Sequence, residues 1–189
     1  TDATDNGTGK VYYNLPSGND YWSASSSDFI ARFPASYSIN AGETIYLSLR
    51  DNTKYQSEYG SLPDLSLDEY LLDAISGTPS KGSTTAPKLG NTNESLILFY
   101  WDGSSATVQD VDYLVWGDNT YAIDKTGISG YADDTPVGSQ EILPVHDTSE
   151  KLFRISDEGA EISASGNGIT GHDETSESFS TTWTIVNIT

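Results

Sequence analysis

The stretch ESLILFYWDGSSATVQDVDYLVWGDN, residues 94–119, decides the fold class of this chain. Two runs rich in β-branched and aromatic residues flank the pair Asp102-Gly103. Such a pair favours a hairpin turn because its residues accept positive φ angles. The stretch therefore predicts two antiparallel strands joined by a turn.

The rest of the chain repeats this pattern, with short apolar runs between clusters of Gly, Ser, Asn, Asp and Pro. Short runs with such punctuation are typical of an all-β protein. Strands are predicted at GKVYYNL (9–15), DFIARFP (28–34), AGETIYLSLR (41–50), KLFRIS (151–156) and FSTTWTIVN (179–187). In the second of these, Phe29, Ala31 and Phe33 fall on one face, and alternate residues from Phe179 to Trp183 share a face in the last.

One segment, DLSLDEYLLDAI (64–75), has helical rather than strand spacing. Leu67, Leu71 and Ile75 fall on one side of a helix. Ser66 stands where an N-cap would, with a glutamate three residues later. The segment predicts one short helix in an otherwise β chain.

Charge excludes some classes of partner. Asp and Glu number 28 against nine Lys and Arg, so the formal net charge is -19. This charge repels nucleic acid and anionic lipid, and it suits saline or calcium-rich surroundings where counter-ions screen self-repulsion. The apolar runs are strand-sized, which predicts no membrane insertion. Absence of Met in a chain that begins at Thr1 favours a processed or excised protein.

The acidic segment GHDETSE (171–177) is a candidate calcium site. Asp173, Glu174 and Glu177 offer the hard oxygen ligands that calcium takes six to eight at a time. The spacing is not that of an EF-hand. The other interpretation is an acidic turn in which Asp173 or Thr175 caps backbone donors.

A second calcium candidate lies in the hairpin. Asp110 and Asp112 are two residues apart on one predicted strand, so they are expected on one face, where they repel unless an ion or a cation neutralises them. Asp118, in the turn that follows, would join them. The alternative is a solvated strand face.

Catalytic motifs are absent from the sequence. It contains no metalloprotease H-E-x-x-H, no P-loop and no dinucleotide fingerprint, and GISG (127–130) lacks the spacing of a nucleophile elbow. With so many acids, a carboxylate pair is weak support for glycoside chemistry. We therefore expect no enzyme.

Aromatic residues have two interpretations. Trp101, Trp116 and Trp183 lie in apolar runs and are expected in the core. A sugar-stacking platform is the alternative for the aromatic residues near the N-terminus, which are Tyr12, Tyr13, Tyr21 and Trp22.

Four motifs together resemble the lamin tail domain family in its exported bacterial and archaeal form. They are GETIYLSL (42–49), the hairpin from residue 94 to 118, KLFRIS (151–156) and SGNGITGHDETSESFSTTW (165–183). The resemblance implies an immunoglobulin-like β-sandwich with long loops over residues 1–189. It also implies a non-catalytic binding or structural module, often joined to secreted phosphatases or nucleases.

The family's first strands have no counterpart in this sequence. The chain is expected either to be truncated or to receive a strand from a neighbouring molecule. We therefore expect an extracellular or cell-surface structural or adhesive subunit that joins itself, or another surface protein, by strand complementation with calcium bridges. The alternatives are an accessory targeting domain of a secreted hydrolase and a carbohydrate-binding module.

Overall fold

A computed structural model describes residues 11–18, 21, 28–49, 51–67, 88–156, 161 and 163–188. These residues belong to two compact units, one within 24–89 and the other formed by 1–23 with 90–189. Both contain short strands and short helices, which confirms a β-rich chain. The sheets of the described residues have two strands each. The immunoglobulin-like sandwich and the single domain over 1–189 stay predictions.

The unit within 24–89 has a small apolar core. Strand β1 (Leu47–Ser48) pairs in parallel with β2 (Leu65–Ser66), and helix α1 (Asn52–Tyr59) lies between them in sequence. The core is formed by Leu65 and Leu67, which pack against Phe29, Ala31, Phe33 and Ile45. The strand predicted for 28–34 is absent, yet its alternate residues do face this core.

Helix α1 was not predicted from the sequence. Its N-cap is Asp51, whose side chain accepts a hydrogen bond from Lys54 N at 2.9 Å, and the N–H of Gly60 closes the last turn. Caps of this kind stabilise a helix even when it has no apolar stripe. In the segment expected to be helical, residues 65–66 form β2, and 68–75 lie outside the described residues.

The hairpin prediction is confirmed in the second unit. Strands β3 (Glu94–Tyr100) and β4 (Gln109–Trp116) are antiparallel, with Glu94 opposite Trp116. Their connection folds around Asp102, whose carboxylate accepts hydrogen bonds from the N–H groups of Ser104 and Ser105 at 2.8 and 2.7 Å. These bonds stabilise a connection that is longer than the two-residue turn typical of an Asp-Gly pair.

A β-bulge separates Asp110 from Asp112. Leu98 lies opposite Asp112, and the next residue, Phe99, lies opposite Asp110. Consecutive residues of β3 point to opposite faces, so the two aspartates do as well. The prediction that they share a face is wrong, because Val111 is an extra residue that the regular alternation does not anticipate.

A second antiparallel pair is formed by β5 (Glu150–Arg154) and β6 (Trp183–Asn187). This confirms a strand at KLFRIS, whereas the strand predicted for 179–187 begins only at Trp183. The preceding helix α2 (Phe179–Thr182) is a single turn closed by bonds to Ser178 O from the hydroxyls of Thr181 and Thr182. Local hydroxyl bonds of this kind compete with strand pairing.

The prediction of a strand at 9–15 is wrong for residues 11–15, the part of this range that the structure describes. A 3₁₀ helix occupies Tyr12–Ser17 and contains Pro16. Its first turn is closed by Asn14 N donating to Val11 O at 2.9 Å. Tyr12 and Leu15 are buried, so the helix joins the core through two of its side chains.

The core of this unit combines aliphatic side chains with large aromatic ones. Tyr113, Trp116 and Phe179 are almost fully buried. Trp116 confirms the core prediction, and its Nε1 donates to Gly90 O at 2.6 Å. Trp101 and Trp183 are only partly buried. No helix among the described residues is long and apolar enough to cross a membrane.

Candidate functional site

Strand β3 lies at the edge of its sheet in the described part of the chain. The far edge of β4 is covered by two extended segments. Leu143 N donates to Val115 O at 3.1 Å, and Ile169 N donates to Asp110 O at 2.6 Å. The described residues place no strand against the far edge of β3. From Leu96 to Tyr100 this edge is therefore a candidate for pairing with another strand.

The outer face of β3 carries an exposed apolar row, which we call the β3 stripe. It consists of Leu96, Leu98 and Tyr100, which are 36%, 44% and 48% exposed. Period-2 alternation places all three on one face. The run from residue 95 to 101 carries no charge, although the chain is strongly acidic. The β3 stripe is the candidate interaction surface.

The GHDETSE segment forms a capped turn. Oδ1 of Asp173 accepts hydrogen bonds from Thr175 N and Oγ1 at 3.0 and 2.6 Å, and Oδ2 accepts from Thr135 N and Oγ1 at 2.9 and 2.7 Å. A 3₁₀ helix (Glu174–Ser176) follows. Both oxygens of Asp173 are thus used by the protein, which matches the second interpretation of this segment.

The glycines before this turn allow a loop to close on it. Gly168 N donates to His172 O at 2.8 Å, and Gly166 N donates to Gly171 O at 2.8 Å. A Cβ at Gly168 would overlap the carboxylate of Glu174 and the carbonyl oxygen of His172. The loop can therefore pack against the turn only with glycine at position 168.

Gly168→Ala is expected to lower the free energy of unfolding by about 1–3 kcal/mol, the usual cost of overpacking. Gly138→Ala is the control, because a Cβ there would meet no atom within 4 Å. Urea unfolding of both variants measures the difference. Equal stability of the two would contradict the crowding described at Gly168.

The acids of β4 are paired with protein cations. Asp110 is buried, and its Oδ2 lies 2.6 Å from Lys125 Nζ. Asp112 Oδ1 lies 2.8 Å from Arg154. The neutralisation expected for these aspartates is therefore supplied by one lysine and one arginine.

Arg154 also binds an acid of the GHDETSE turn. Its Nη1 donates to Glu177 Oε1 at 2.8 Å, and its guanidinium lies 4.5 Å from the ring centroid of Trp183. One cation thus joins two carboxylates and an aromatic face. It links β5 to β4 and to the turn before β6.

Asp118 stands apart from the other acids. It caps a short 3₁₀ helix (Asn119–Tyr121) by accepting a hydrogen bond from Thr120 N at 2.8 Å. The predicted set of Asp110, Asp112 and Asp118 is not brought together. Within the described ranges, no group of three or more His, Asp or Glu side chains is placed to hold a metal ion. Calcium binding stays a prediction.

A polar cleft of about 410 Å³ lies beside the GHDETSE turn. Hydroxyl side chains line it together with the carboxylates of Glu141 and Glu177. Glu141 accepts hydrogen bonds from Ser178 Oγ and Ser180 N at 2.9 and 2.7 Å. Both carboxylates thus already have partners in the protein, because Glu177 binds Arg154.

No protein-family model, curated protein or solved structure matches this chain. The resemblance to the lamin tail domain family therefore stays a prediction.

The predicted sugar platform is not assembled in the described residues. Tyr12 and Tyr21 are 3% and 1% exposed, so their rings are unavailable for stacking with a ligand. Trp22 lies outside the described residues.

Sequence reasoning missed the cations. Lys125 pairs with Asp110 and Asp134, and it lies outside the motifs singled out from the sequence. Arg154 pairs with Asp112 and Glu177, and it lies within KLFRIS, but the motif did not mark it as the partner of an acid. The composition offered one indication, because the chain has only nine basic residues for 28 acidic ones. Each basic residue in a β-rich segment is therefore a candidate partner for a buried acid.

Burial makes the stability of this unit depend on pH. It raises the pKa values of Asp112, Asp134 and Glu177, although nearby cations act to lower them. An acid with a raised folded pKa binds protons more readily in the folded state, so stability falls as pH rises through that value. The melting temperature is expected to be higher at mildly acidic than at neutral pH.

Thermal unfolding across this range tests the prediction. The -19 charge acts in the same direction, so Glu177→Gln serves to separate the two effects. The variant should show a shallower pH dependence than the wild type. A melting temperature that only falls on acidification would contradict the prediction.

Proposed function

We propose that this chain is a non-catalytic structural or adhesive module of the cell exterior, which adds further copies of itself along β3. The observation that carries the proposal is the β3 stripe on the part of β3 from Leu96 to Tyr100, against whose far edge the described residues place no strand. Edge strands present backbone N–H and C=O groups that template pairing with another chain. When a second strand pairs with such an edge, it also buries the exposed apolar row beside it, which adds stability to that of the backbone hydrogen bonds.

Charge supports this choice of contact surface. Two copies with a net charge of -19 repel each other, so a stable contact needs an uncharged patch and screened surroundings. The run from residue 95 to 101 carries no charge, and Asp112, which lies opposite Leu98, is neutralised by Arg154. Calcium enters this proposal as a screening ion, which would promote association as salt does.

Sedimentation velocity over a range of protein concentrations tests the proposal. Wild-type protein is expected to form oligomers whose population rises with salt or calcium. Leu98→Lys places a charge in the β3 stripe and should leave monomers. Val145→Lys is the matched control, because Val145 is 57% exposed and lies away from β3 in sequence. Monomers of the wild type under all conditions would overturn the proposal.

The polar cleft supports a second candidate, the binding of a small saccharide unit. Carboxylates and hydroxyls readily hydrogen-bond sugar hydroxyl groups, and the cleft volume of about 410 Å³ suits one or two sugar rings. Calorimetric titration with soluble oligosaccharides tests it. Ser139→Trp should fill the cleft and abolish any binding, and an absence of heat with the wild type would contradict this candidate.

A further inference from the structure

Four polar side chains form a closed cluster in the core, which we call the Lys125 cluster. Its members are Lys125, Asp110, Asp134 and Tyr12, and each is at most 4% exposed. Lys125 Nζ lies 2.6 Å from Asp110 Oδ2, 3.2 Å from Asp134 Oδ2 and 3.1 Å from the hydroxyl of Tyr12. The proposed function uses none of these groups.

The charge of this cluster is unbalanced. One ammonium faces two carboxylates, so the ionised side chains sum to one negative charge in a dry environment. Each buried charge is costly. An amide bond between the ammonium and one carboxylate would remove two of the three charges. The net charge of -1 would then lie on Asp134, whose carboxylate keeps its hydrogen bonds from Lys125 N and Asn167 Nδ2.

We propose that the chain itself joins Lys125 to Asp110, by an amide bond between Lys125 Nζ and Asp110 Cγ, with release of one water. Nζ donates to Oδ2, one covalent bond away from the carbon that it would attack. Both side chains are held by packing, which supplies the proximity that such a reaction needs. The bond would close a loop from β4 to the segment that follows the Asn119–Tyr121 helix.

Asp134 has the position of a proton carrier. Its Oδ2 accepts from Lys125 N at 2.8 Å, and its Oδ1 accepts from Asn167 Nδ2 at 2.7 Å, so it is fixed beside Nζ. Burial raises the pKa of Asp134. Burial acts to lower the pKa of Lys125, but Asp110 and Asp134 raise it overall. The lysine therefore starts as an ammonium, and its proton has to pass to Asp134 before attack.

Tyr12 has the position of an oxyanion donor. Its hydroxyl donates to Asp110 Oδ1 at 2.7 Å, the oxygen on which negative charge develops when Nζ adds to Cγ. Burial, with Asp110 adding to it, raises the pKa of Tyr12, so the phenol keeps its proton. Hydrogen-bond donation to Oδ1 is therefore maintained throughout the step.

The atoms and protons balance within the ion pair. The C–N bond forms between Cγ and Nζ, and the bond from Cγ to Oδ2 breaks. Two of the three ammonium protons leave on Oδ2 as water, carried by Asp134, and the third stays as the amide N–H. No oxidant, metal or external reactant is required.

Intact-mass measurement of the folded wild-type chain tests the proposal. The protein is expected to be lighter than its sequence mass by one water. Trypsin should not cut after Lys125, so the digest should contain a peptide from residue 89 to 151 that also lacks one water. Full sequence mass after prolonged incubation of folded protein would overturn the proposal. So would a dehydrated chain that trypsin still cuts after Lys125.

Three variants assign the roles. Asp110→Asn should lose ammonia instead of water, because the leaving group changes while the amide is the same. Lys125→Arg and Asp134→Ala should both retain full mass, the first without a nucleophile and the second without a proton carrier. Circular dichroism establishes which variants fold. Loss of water by folded Lys125→Arg would place the dehydration elsewhere and overturn the assignment.

Discussion

Lys125→Met is expected to lower the free energy of unfolding by about 3–5 kcal/mol, the usual cost of removing one partner from a buried ion pair. Lys125 is fully buried, and in the chain at full sequence mass, without the proposed amide, its removal leaves Asp110 and Asp134 in the core without their cation. Methionine retains most of the side-chain volume, so the loss reflects charge rather than a cavity. Chemical denaturation of the variant and the wild type measures it.

Arg154→Met is the comparison for this prediction. Arg154 also faces two carboxylates, but its side chain is 23% exposed, so water can partly solvate the acids left behind. Its loss should cost clearly less than that of Lys125. Equal effects of the two substitutions would contradict the view that the Lys125 cluster is the electrostatic centre of the core.

Gly117→Ala is expected to destabilise the fold by about 2–5 kcal/mol, from left-handed backbone strain together with overpacking. Gly117 follows β4 with φ of +87°, and an added Cβ would overlap the carbonyl oxygen of Thr92. The residue also anchors the covered edge of β4, because its N–H donates to Leu143 O at 2.7 Å. A shift of the backbone at this position would therefore disturb the packing against Thr92 and the hydrogen bond to Leu143.

Gly103→Ala separates the two contributions. Gly103 has a φ of +82°, but a Cβ there would meet no atom within 4 Å. This variant should show only the strain, about 1–2 kcal/mol. Equal losses at positions 103 and 117 in urea unfolding would contradict the steric part of the argument.

Local patterns predicted the strands that have strong local signals. The hairpin from residue 94 to 116 has two long apolar runs and a turn pair, and it forms as expected. The bulge at Val111 could not be predicted from the alternation of residues; it places Asp110 beside Lys125 and Asp112 beside Arg154, on different faces. Tertiary ion pairs of this kind leave no mark on strand periodicity.

Weak or mixed local signals gave wrong boundaries. The segment before Trp183 alternates like a strand, but the hydroxyls of Thr181 and Thr182 close a helical turn there. Helix α1 has capping residues and no apolar stripe, so a search for periodicity passes over it. The acidic turn was placed correctly as a structured feature, and its two interpretations could not be separated without the contacts of Asp173.

The central claim, that copies join along β3, is tested most directly by cross-linking. The natural sequence contains no cysteine, so Leu98→Cys and Val145→Cys each introduce a single thiol. With a short bismaleimide linker at a concentration where the wild type is oligomeric, the Leu98→Cys chain should give covalent dimers in high yield and the Val145→Cys chain few. Equal yields from the two positions, or no dimer from Leu98→Cys, would contradict the account.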